Sequence, residues 1–243
     1  MAELPKTLED AIIQAREATQ VAIADGYTRL QVELLFPELK PMPVAEQFLP
    51  LFEQYGDKVK ILFPDAGGAA LAKRDWVDVP FKMSDIGSGR TATQMKIQPE
   101  DKIFLVVAPT AVEVLQLEKL CEEIGDRPVV ILTPRMEDAG TVGIGYTARE
   151  TRRRFISTIE SCYYLRPVDD ETAVFRCYPG MWEVWLETNG EYQKIAELAK
   201  KPSGDELDAI LMKGGQTLGD NPIPIKKPSV FKGLQRFLKA LSS

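Results

Sequence analysis

The chain contains no histidine among its 243 residues. This absence excludes Ser-His-Asp and Cys-His catalysis, and it excludes every metal site that needs an imidazole ligand. The three cysteines, Cys121, Cys162 and Cys177, form no Cys-x-x-Cys motif, and such a sparse, odd set indicates reduced thiols in a reducing compartment. We expect no metal ion and no cofactor, and the sequence assigns no catalytic residue.

Long apolar runs and an excess of basic charge are also missing. The longest apolar run, residues 103–108, is far shorter than the ~20 residues that a membrane-spanning helix needs. The net charge of -6 argues against a general nucleic-acid-binding protein, because such proteins are usually basic. The first residues lack the basic and then apolar pattern of a secretory signal. We expect a cytoplasmic protein that binds no nucleic acid.

One short pattern occurs four times: an apolar, mostly branched run is followed by proline and then by a polar residue. Such runs are typical of parallel strands that are buried on both faces. Proline marks a strand end, because it cannot donate a ladder hydrogen bond. The polar residues after the four prolines are Glu38, Asp65, Thr110 and Arg135. They are predicted to lie at the carboxyl edge of a parallel sheet, where open α/β sheets bind ligands.

Amphipathic helical stripes alternate with these runs, which predicts an α/β fold with a mainly parallel, Rossmann-like central sheet and helices on both faces. Near residues 161–188 the pattern changes to short strands joined by tight turns, which predicts an antiparallel extension of the sheet. Residues 192–200 are predicted to be helical. The predicted organisation is a single α/β domain over residues 1–200, a linker at 201–229 and a basic amphipathic helix at 230–243.

The carboxyl edge is the first candidate functional site. Its predicted ligand-binding residues are Asp65, Gly67, Gly68, Thr110, Arg135, Glu137 and Asp138. Carboxylates that face an arginine can hold a polar ligand. The glycines match neither the Walker A pattern nor the dinucleotide-binding pattern. We favour the alternative that these residues are helix caps and surface charges, because Asp65 and Thr110 stand where N-cap residues belong.

The C-terminal residues combine basic charge with an apolar stripe. Residues 221–243 contain five basic residues and no acidic one, whereas the whole chain has 30 basic and 36 acidic residues. The residues predicted to contact a partner or a membrane are Phe231, Lys232, Leu234, Arg236, Phe237, Leu238, Lys239 and Leu241. A basic face beside an apolar stripe is typical of a helix that binds an anionic membrane surface. The alternative is that the stripe packs against the acidic body of the same chain.

Several short strings together resemble one family. They are Phe63-Pro64-Asp65-Ala66-Gly67, Lys73-Arg74-Asp75-Trp76, Pro134-Arg135-Met136-Glu137-Asp138, Tyr163-Tyr164-Leu165-Arg166-Pro167 and Tyr178-Pro179-Gly180. Over residues 4–200 the chain resembles the family of uncharacterised function in cyanobacteria and chloroplasts that includes the plant protein Low PSII Accumulation 3. The resemblance implies a non-enzymatic accessory protein of photosynthesis that assists photosystem II assembly at the thylakoid surface. Its implied partners are photosynthetic membrane proteins or assembly factors, and it transfers no catalytic residue to this chain.

The alternative function is a small-molecule or nucleotide-binding α/β enzyme that uses the carboxyl-edge crevice. A similar domain is attached to an adenylate-kinase-like chloroplast protein, which supports a nucleotide link. The absence of histidine and of a phosphate-binding motif favours the accessory protein over the enzyme. The start of the chain also lacks a transit peptide, which fits a cyanobacterial protein that is cytoplasmic or peripheral to the thylakoid membrane.

Overall fold

The computed structural model describes residues 2–87, 96–136, 146–188 and 190–217. The chain divides into two compact units, each made of more than one segment. We call one the parallel unit; it contains Thr19–Glu33 and Lys40–Ser161. We call the other the antiparallel unit; it contains Met1–Ala18, Leu34–Leu39 and Cys162–Ser243.

The parallel unit is built on five strands that all run in the same direction. They are β1 Arg29–Leu34, β2 Val59–Phe63, β3 Lys82–Asp85, β4 Ile103–Val107 and β5 Val129–Leu132. Their order in space is β3-β2-β4-β5-β1, and every pairing is parallel. Strands β2, β4 and β5 are buried at every position, which explains their nearly continuous apolar sequences. The predicted parallel α/β fold is confirmed.

Helices cover both faces of this parallel sheet. The helices of this unit are α2 Pro41–Phe48, α3 Ala66–Asp75, α4 Val114–Ile124 and α5 Tyr146–Arg154, with 3-10 segments at Leu49–Lys58 and Ile156–Thr158. Helix α1, Leu8–Ala24, is divided between the two units after Ala18. The ring of Trp76, just after α3, lies 5.8 Å from the ring of Phe63 in β2. The α4 residues Leu117 and Cys121 instead share a core cluster with Leu62. Because neighbouring strand residues point to opposite faces, α3 and α4 cover opposite sides of the sheet.

The antiparallel unit is built on four strands joined by short connections. They are β6 Glu160–Pro167, β7 Thr172–Cys177, β8 Trp182–Thr188 and β9 Glu191–Leu198, in the order β6-β7-β8-β9. All three pairings are antiparallel, so the predicted antiparallel strands near residues 161–188 are confirmed. Inside this unit the rings of Tyr164 and Trp182 meet edge to face at a centroid distance of 4.9 Å.

The prediction of a helix over residues 192–200 is wrong, because this segment forms strand β9. Gly190 has a φ of 88°, a left-handed conformation that glycine adopts without strain and that a tight hairpin turn requires. The turn brings the following residues against β8, where Trp185 pairs with Lys194. Pairing with a neighbouring strand therefore overrides the helical spacing of the apolar residues.

Residues 204–217, within the predicted linker, form helix α6 (Gly204–Thr217), which corrects that part of the linker prediction. A capping box marks the start of α6: Ser203 N–H donates to Glu206 Oε2 at 2.8 Å, and Glu206 N–H donates to Ser203 Oγ at 3.3 Å. Leu207 is buried in the core of the antiparallel unit. The predicted C-terminal helix at 230–243 lies outside the described residues.

Candidate functional site

The carboxyl edge of the parallel unit contains a topological switch point between β2 and β4. The two strands are neighbours, but the helices that follow them cover opposite faces of the sheet. In open α/β sheets, a ligand-binding crevice forms where the chain leaves adjacent strands toward opposite faces. Asp65 follows β2 and Thr110 follows β4, so two of the predicted site residues flank this point.

Asp65 and the two glycines after it build the turn from β2 into α3. The carboxylate Oδ1 of Asp65 accepts a hydrogen bond from the N–H of Gly68 at 2.9 Å, as an N-cap residue does. A Cβ at Gly67 would lie 3.0 Å from Asp65 Oδ1, and one at Gly68 would lie 3.4 Å from Phe63 Cβ. The glycines therefore permit a close strand-to-helix turn, and one N–H group of the helix is already occupied by Asp65.

Strands β4 and β5 end in the same backbone conformation. Ala108 and Thr133, the residues that directly precede Pro109 and Pro134, have φ values of 49° and 48°. This left-handed conformation costs roughly 1–2 kcal/mol for a residue other than glycine. The sequence indicated a strand end at each proline but gave no sign of this strain.

We call the left-handed residues Ala108 and Thr133 the two bends. Strands β4 and β5 pair again beyond them. The N–H of Ala108 donates to the carbonyl of Leu132 at 2.8 Å, and the N–H of Arg135 donates to the carbonyl of Pro109 at 2.8 Å. Thr110 and Arg135 form an isolated parallel bridge. The two bends are thus matched, and they hold Thr110 and Arg135 opposite each other at the carboxyl edge, as the sequence predicted.

Thr110 is joined to Glu113, a residue that the sequence-based site did not include. Glu113 Oε2 accepts hydrogen bonds from the Thr110 N–H at 2.8 Å and from the Thr110 hydroxyl at 2.7 Å. Because α4 begins only at Val114, this pair closes a turn before the helix rather than capping its first turn. The Thr-x-x-Glu spacing was the available signal. Glu113 places a carboxylate at the switch point, beside the Thr110 hydroxyl.

Thr133 is the second residue that sequence reasoning missed. The residue is only 7% exposed, and its hydroxyl oxygen is sealed from solvent without a hydrogen-bond partner among the described residues. Two positions later, Arg135 is exposed and has no side-chain partner in the same part of the chain. The exposed guanidinium can bind an anionic ligand at this strand end, since it supplies charged hydrogen-bond donors.

The remaining predicted residues lie in other parts of the chain. Glu38 follows β1, is exposed and belongs to the antiparallel unit. Glu137, Asp138 and the predicted membrane or partner contacts from Phe231 to Leu241 lie outside the described residues. The ligand-binding role of the edge residues stays a prediction.

Metal and membrane features were also sought within the described residues. There, no group of three or more Cys, Asp and Glu side chains is arranged to hold a metal ion. In the same ranges, no helix has both the length and the apolar character required to span a bilayer.

The parallel sheet and its flanking helices define an α/β protein with a topological switch point at the carboxyl edge. Comparison with known families is more specific. The model of the family described as Domain of unknown function (DUF1995) matches residues 5–209, and the chain belongs to this family. No solved structure matches the chain.

Proposed function

We propose that the protein is a non-enzymatic accessory protein that assists photosystem II assembly at the thylakoid surface. The observation that carries this proposal is the set of five sequence strings shared with the photosynthetic family that includes Low PSII Accumulation 3. The family match covers residues 5–209, nearly the same part of the chain as that resemblance, and the description of the matched family assigns no function.

An exposed apolar pair beside the carboxyl edge supports a role in protein contacts. Val112, in the turn before α4, is 70% exposed, and Leu115 in the first turn of α4 is 53% exposed. The two exposed apolar side chains lie three positions apart in the chain, where the turn leads into α4. Adjacent exposed apolar side chains are a feature of surfaces that bind proteins.

Affinity capture from solubilised thylakoid membranes tests this proposal. The tagged protein should enrich photosystem II subunits over photosystem I subunits, as measured by quantitative mass spectrometry. The double substitution Val112→Ser and Leu115→Ser should remove this enrichment. Val77 is 71% exposed and follows α3, so Val77→Ser is the matched control and should leave the enrichment unchanged. Equal recovery of both photosystems by the unaltered protein would contradict the proposal.

Loss of the gene provides an independent test in the organism that encodes it. Disruption should lower the amount of photosystem II relative to photosystem I, and re-expression of the full chain should restore it. A normal ratio of the two photosystems after disruption would contradict an assembly role, whatever the capture experiment yields.

A second candidate function is the binding of a small polar ligand, such as a nucleotide, at the carboxyl-edge crevice. The exposed guanidinium of Arg135, which has no side-chain partner among the described residues, favours it, because it can donate charged hydrogen bonds to an anionic ligand. Calorimetric titration with a panel of nucleotides and sugar phosphates would detect the ligand. Arg135→Ala should then weaken binding by about 1.5–3 kcal/mol, the value of a charged hydrogen bond. An unchanged affinity would place the ligand elsewhere.

A further inference from the structure

Lys60 in β2 is a buried lysine without a partner. The residue is only 9% exposed, and its ammonium forms no hydrogen bond or ion pair with the described residues. The Lys60 nitrogen keeps some contact with solvent. In the described ranges, the side-chain atoms that are fully buried and lack a hydrogen-bond partner belong to Ser84, Gln116, Thr133 and Asp170, and not to Lys60. Buried lysines are usually paired, so this environment requires an explanation.

The neighbouring strands explain why Lys60 stays unpaired. Lys60 lies in register with Lys82 in β3 and with the buried Phe104 in β4. The Lys82 ammonium donates hydrogen bonds at 3.0 Å to both Glu100 Oε1 and Asp101 Oδ1. Lys82 thus engages the nearby carboxylates, and Lys60 is left against an aromatic neighbour.

The second oxygen of Asp101 is engaged as well. Asp101 is fully buried, and its Oδ2 accepts a hydrogen bond from the N–H of Gln98 at 2.8 Å. The next acidic group along β3, Asp85, accepts a hydrogen bond from the ammonium of Lys96 at 2.9 Å. Asp101, the carboxylate whose charge acts on Lys60, is therefore held by other donors.

Electrostatics favours the neutral amine at this position. Burial lowers the pKa of Lys60 below its ordinary value, and the positive charges of Lys82, Lys96 and Lys73 lower it further. The negative charge of Asp101 acts in the opposite direction. Because only the neutral amine is nucleophilic, a lowered pKa gives Lys60 a larger reactive fraction near neutral pH than an exposed lysine has.

We propose that Lys60 is a covalent binding site for a small carbonyl compound, an aldehyde or a 2-oxo acid. In the reaction, the amine nitrogen adds to the carbonyl carbon, and the carbonyl oxygen leaves as water with the two amine hydrogens. The product is an imine, and no oxidant or reductant takes part. The small exposed fraction of Lys60 restricts the ligand to a small molecule, and the apolar side chains of Phe104 and Leu62 provide surroundings that disfavour hydrolysis.

Reductive trapping on the unaltered full chain tests the proposal. The protein is incubated with glyoxylate and cyanoborohydride near neutral pH, and peptide mass spectrometry measures the labelling rate of each lysine. Lys58 and Lys102 are exposed lysines directly before β2 and β4, so they are matched internal controls. Lys60 should be labelled several-fold faster than either control, and this preference should vanish in denaturant. Slower or equal labelling of Lys60 in the folded protein overturns the proposal.

A substitution tests whether the lysine cluster causes the reactivity. Lys82→Met removes one positive charge and releases Asp101, which can then pair with Lys60 and raise its pKa. The labelling rate of Lys60 should fall several-fold in this variant, while the rates of Lys58 and Lys102 stay the same. An unchanged rate at Lys60 would contradict the electrostatic activation on which the proposal rests. Lys60→Met should remove the adduct from the corresponding peptide.

Discussion

At the scale of single residues, the unpartnered hydroxyl of Thr133 predicts a stabilising substitution. A buried polar group without a hydrogen bond costs about 1–3 kcal/mol. Valine has nearly the shape of threonine and the same branching at Cβ, so Thr133→Val keeps both the packing and the strained φ of 48°. The substitution should raise the free energy of unfolding by about 1 kcal/mol, measured by urea denaturation without ligand.

Thr110→Val is the matched control for this substitution. The Thr110 hydroxyl donates to Glu113 at 2.7 Å, so its removal should lower the free energy of unfolding. A decrease for Thr133→Val as well would show that the Thr133 hydroxyl has a hydrogen-bond partner in solution.

The three cysteines predict slow thiol chemistry. None of them forms a disulfide, and Cys121 and Cys162 are buried. Burial raises the pKa of the Cys121 thiol to about 12 and that of Cys177 to about 11. At about pH 8, well below these values, the reactive thiolate fraction is smaller than in an exposed cysteine.

A thiol reagent should therefore react slowly with the native protein and rapidly with three thiols in denaturant without reductant. Fewer than three thiols in denaturant would contradict the absence of disulfides, and rapid native reaction would contradict the raised pKa values.

The sequence predicts some site residues better than others for a physical reason. The cap formed by Asp65 depends on residues within three positions, so a local pattern reveals it. The orphaned hydroxyl of Thr133 depends on which groups the folded chain places around it, and no local pattern reveals that. Glu113 lies between these cases, because its spacing from Thr110 was visible but its place at the switch point was not.

At the scale of elements, two arginines satisfy the carboxyl end of α4. The Arg29 guanidinium donates to the carbonyls of Cys121 and Gly125, and Arg127 donates to the carbonyl of Ile124 at 2.9 Å. The last carbonyls of a helix have no partner inside the helix, and a cation there also interacts favourably with the helix dipole. The sequence shows Arg29 only as the first residue of a strand.

Arg29→Ala should lower the free energy of unfolding by about 2–3 kcal/mol, because several charged hydrogen bonds are lost together. Chemical denaturation measures the change. Arg74→Ala is the control: Arg74 forms an exposed ion pair with Asp75, and such a pair contributes little to stability because solvent screens it. Similar small losses for both variants would mean that Arg29 does not stabilise the end of α4.

Predictability also differs between elements. The strands that precede proline were predicted because burial on both faces makes the whole run apolar. Strand β9 was missed because Tyr192, Ile195 and Ala196 are spaced as on a helix, and only pairing with β8 decides the outcome. Helix α6 was predicted only as one or two helical turns at residues 205–212, because the glycines and prolines of this region suggested a linker. Ser203 and Glu206 form a capping box at its start.

At the scale of the whole molecule, the uneven distribution of charge predicts reversible membrane binding. Residues 221–243 carry five basic residues and no acidic one, in a chain with a net charge of -6. Each basic residue near an anionic leaflet contributes about 1 kcal/mol of binding free energy, and this contribution weakens as salt screens the charges. The full chain should float with anionic liposomes at low salt.

A chain that ends at Lys227 is the comparison in this flotation experiment, because it lacks the predicted apolar stripe and three of the basic residues. It should stay at the bottom of the gradient. Equal flotation of the two chains, or flotation of neither, would leave packing against the protein itself as the role of the segment.

The overall class of the fold was predictable, whereas the division into two units was not. Repeated buried strands and helical stripes are local patterns, and they indicated the parallel sheet. The assignment of Leu34–Leu39 to the same unit as Cys162–Ser243 depends on contacts far apart in the sequence. Periodicity contains no information about such contacts.

The matched bends after β4 and β5 also constrain how the sequence can change over evolutionary time. Inserting or deleting one residue between a strand and its proline would move Thr110 or Arg135 out of register with the other. A length change in one strand end is therefore tolerated only with a compensating change in the other. We therefore expect Ala108-Pro109 and Thr133-Pro134 to change length together, although 23 positions separate Pro109 from Thr133 in the chain.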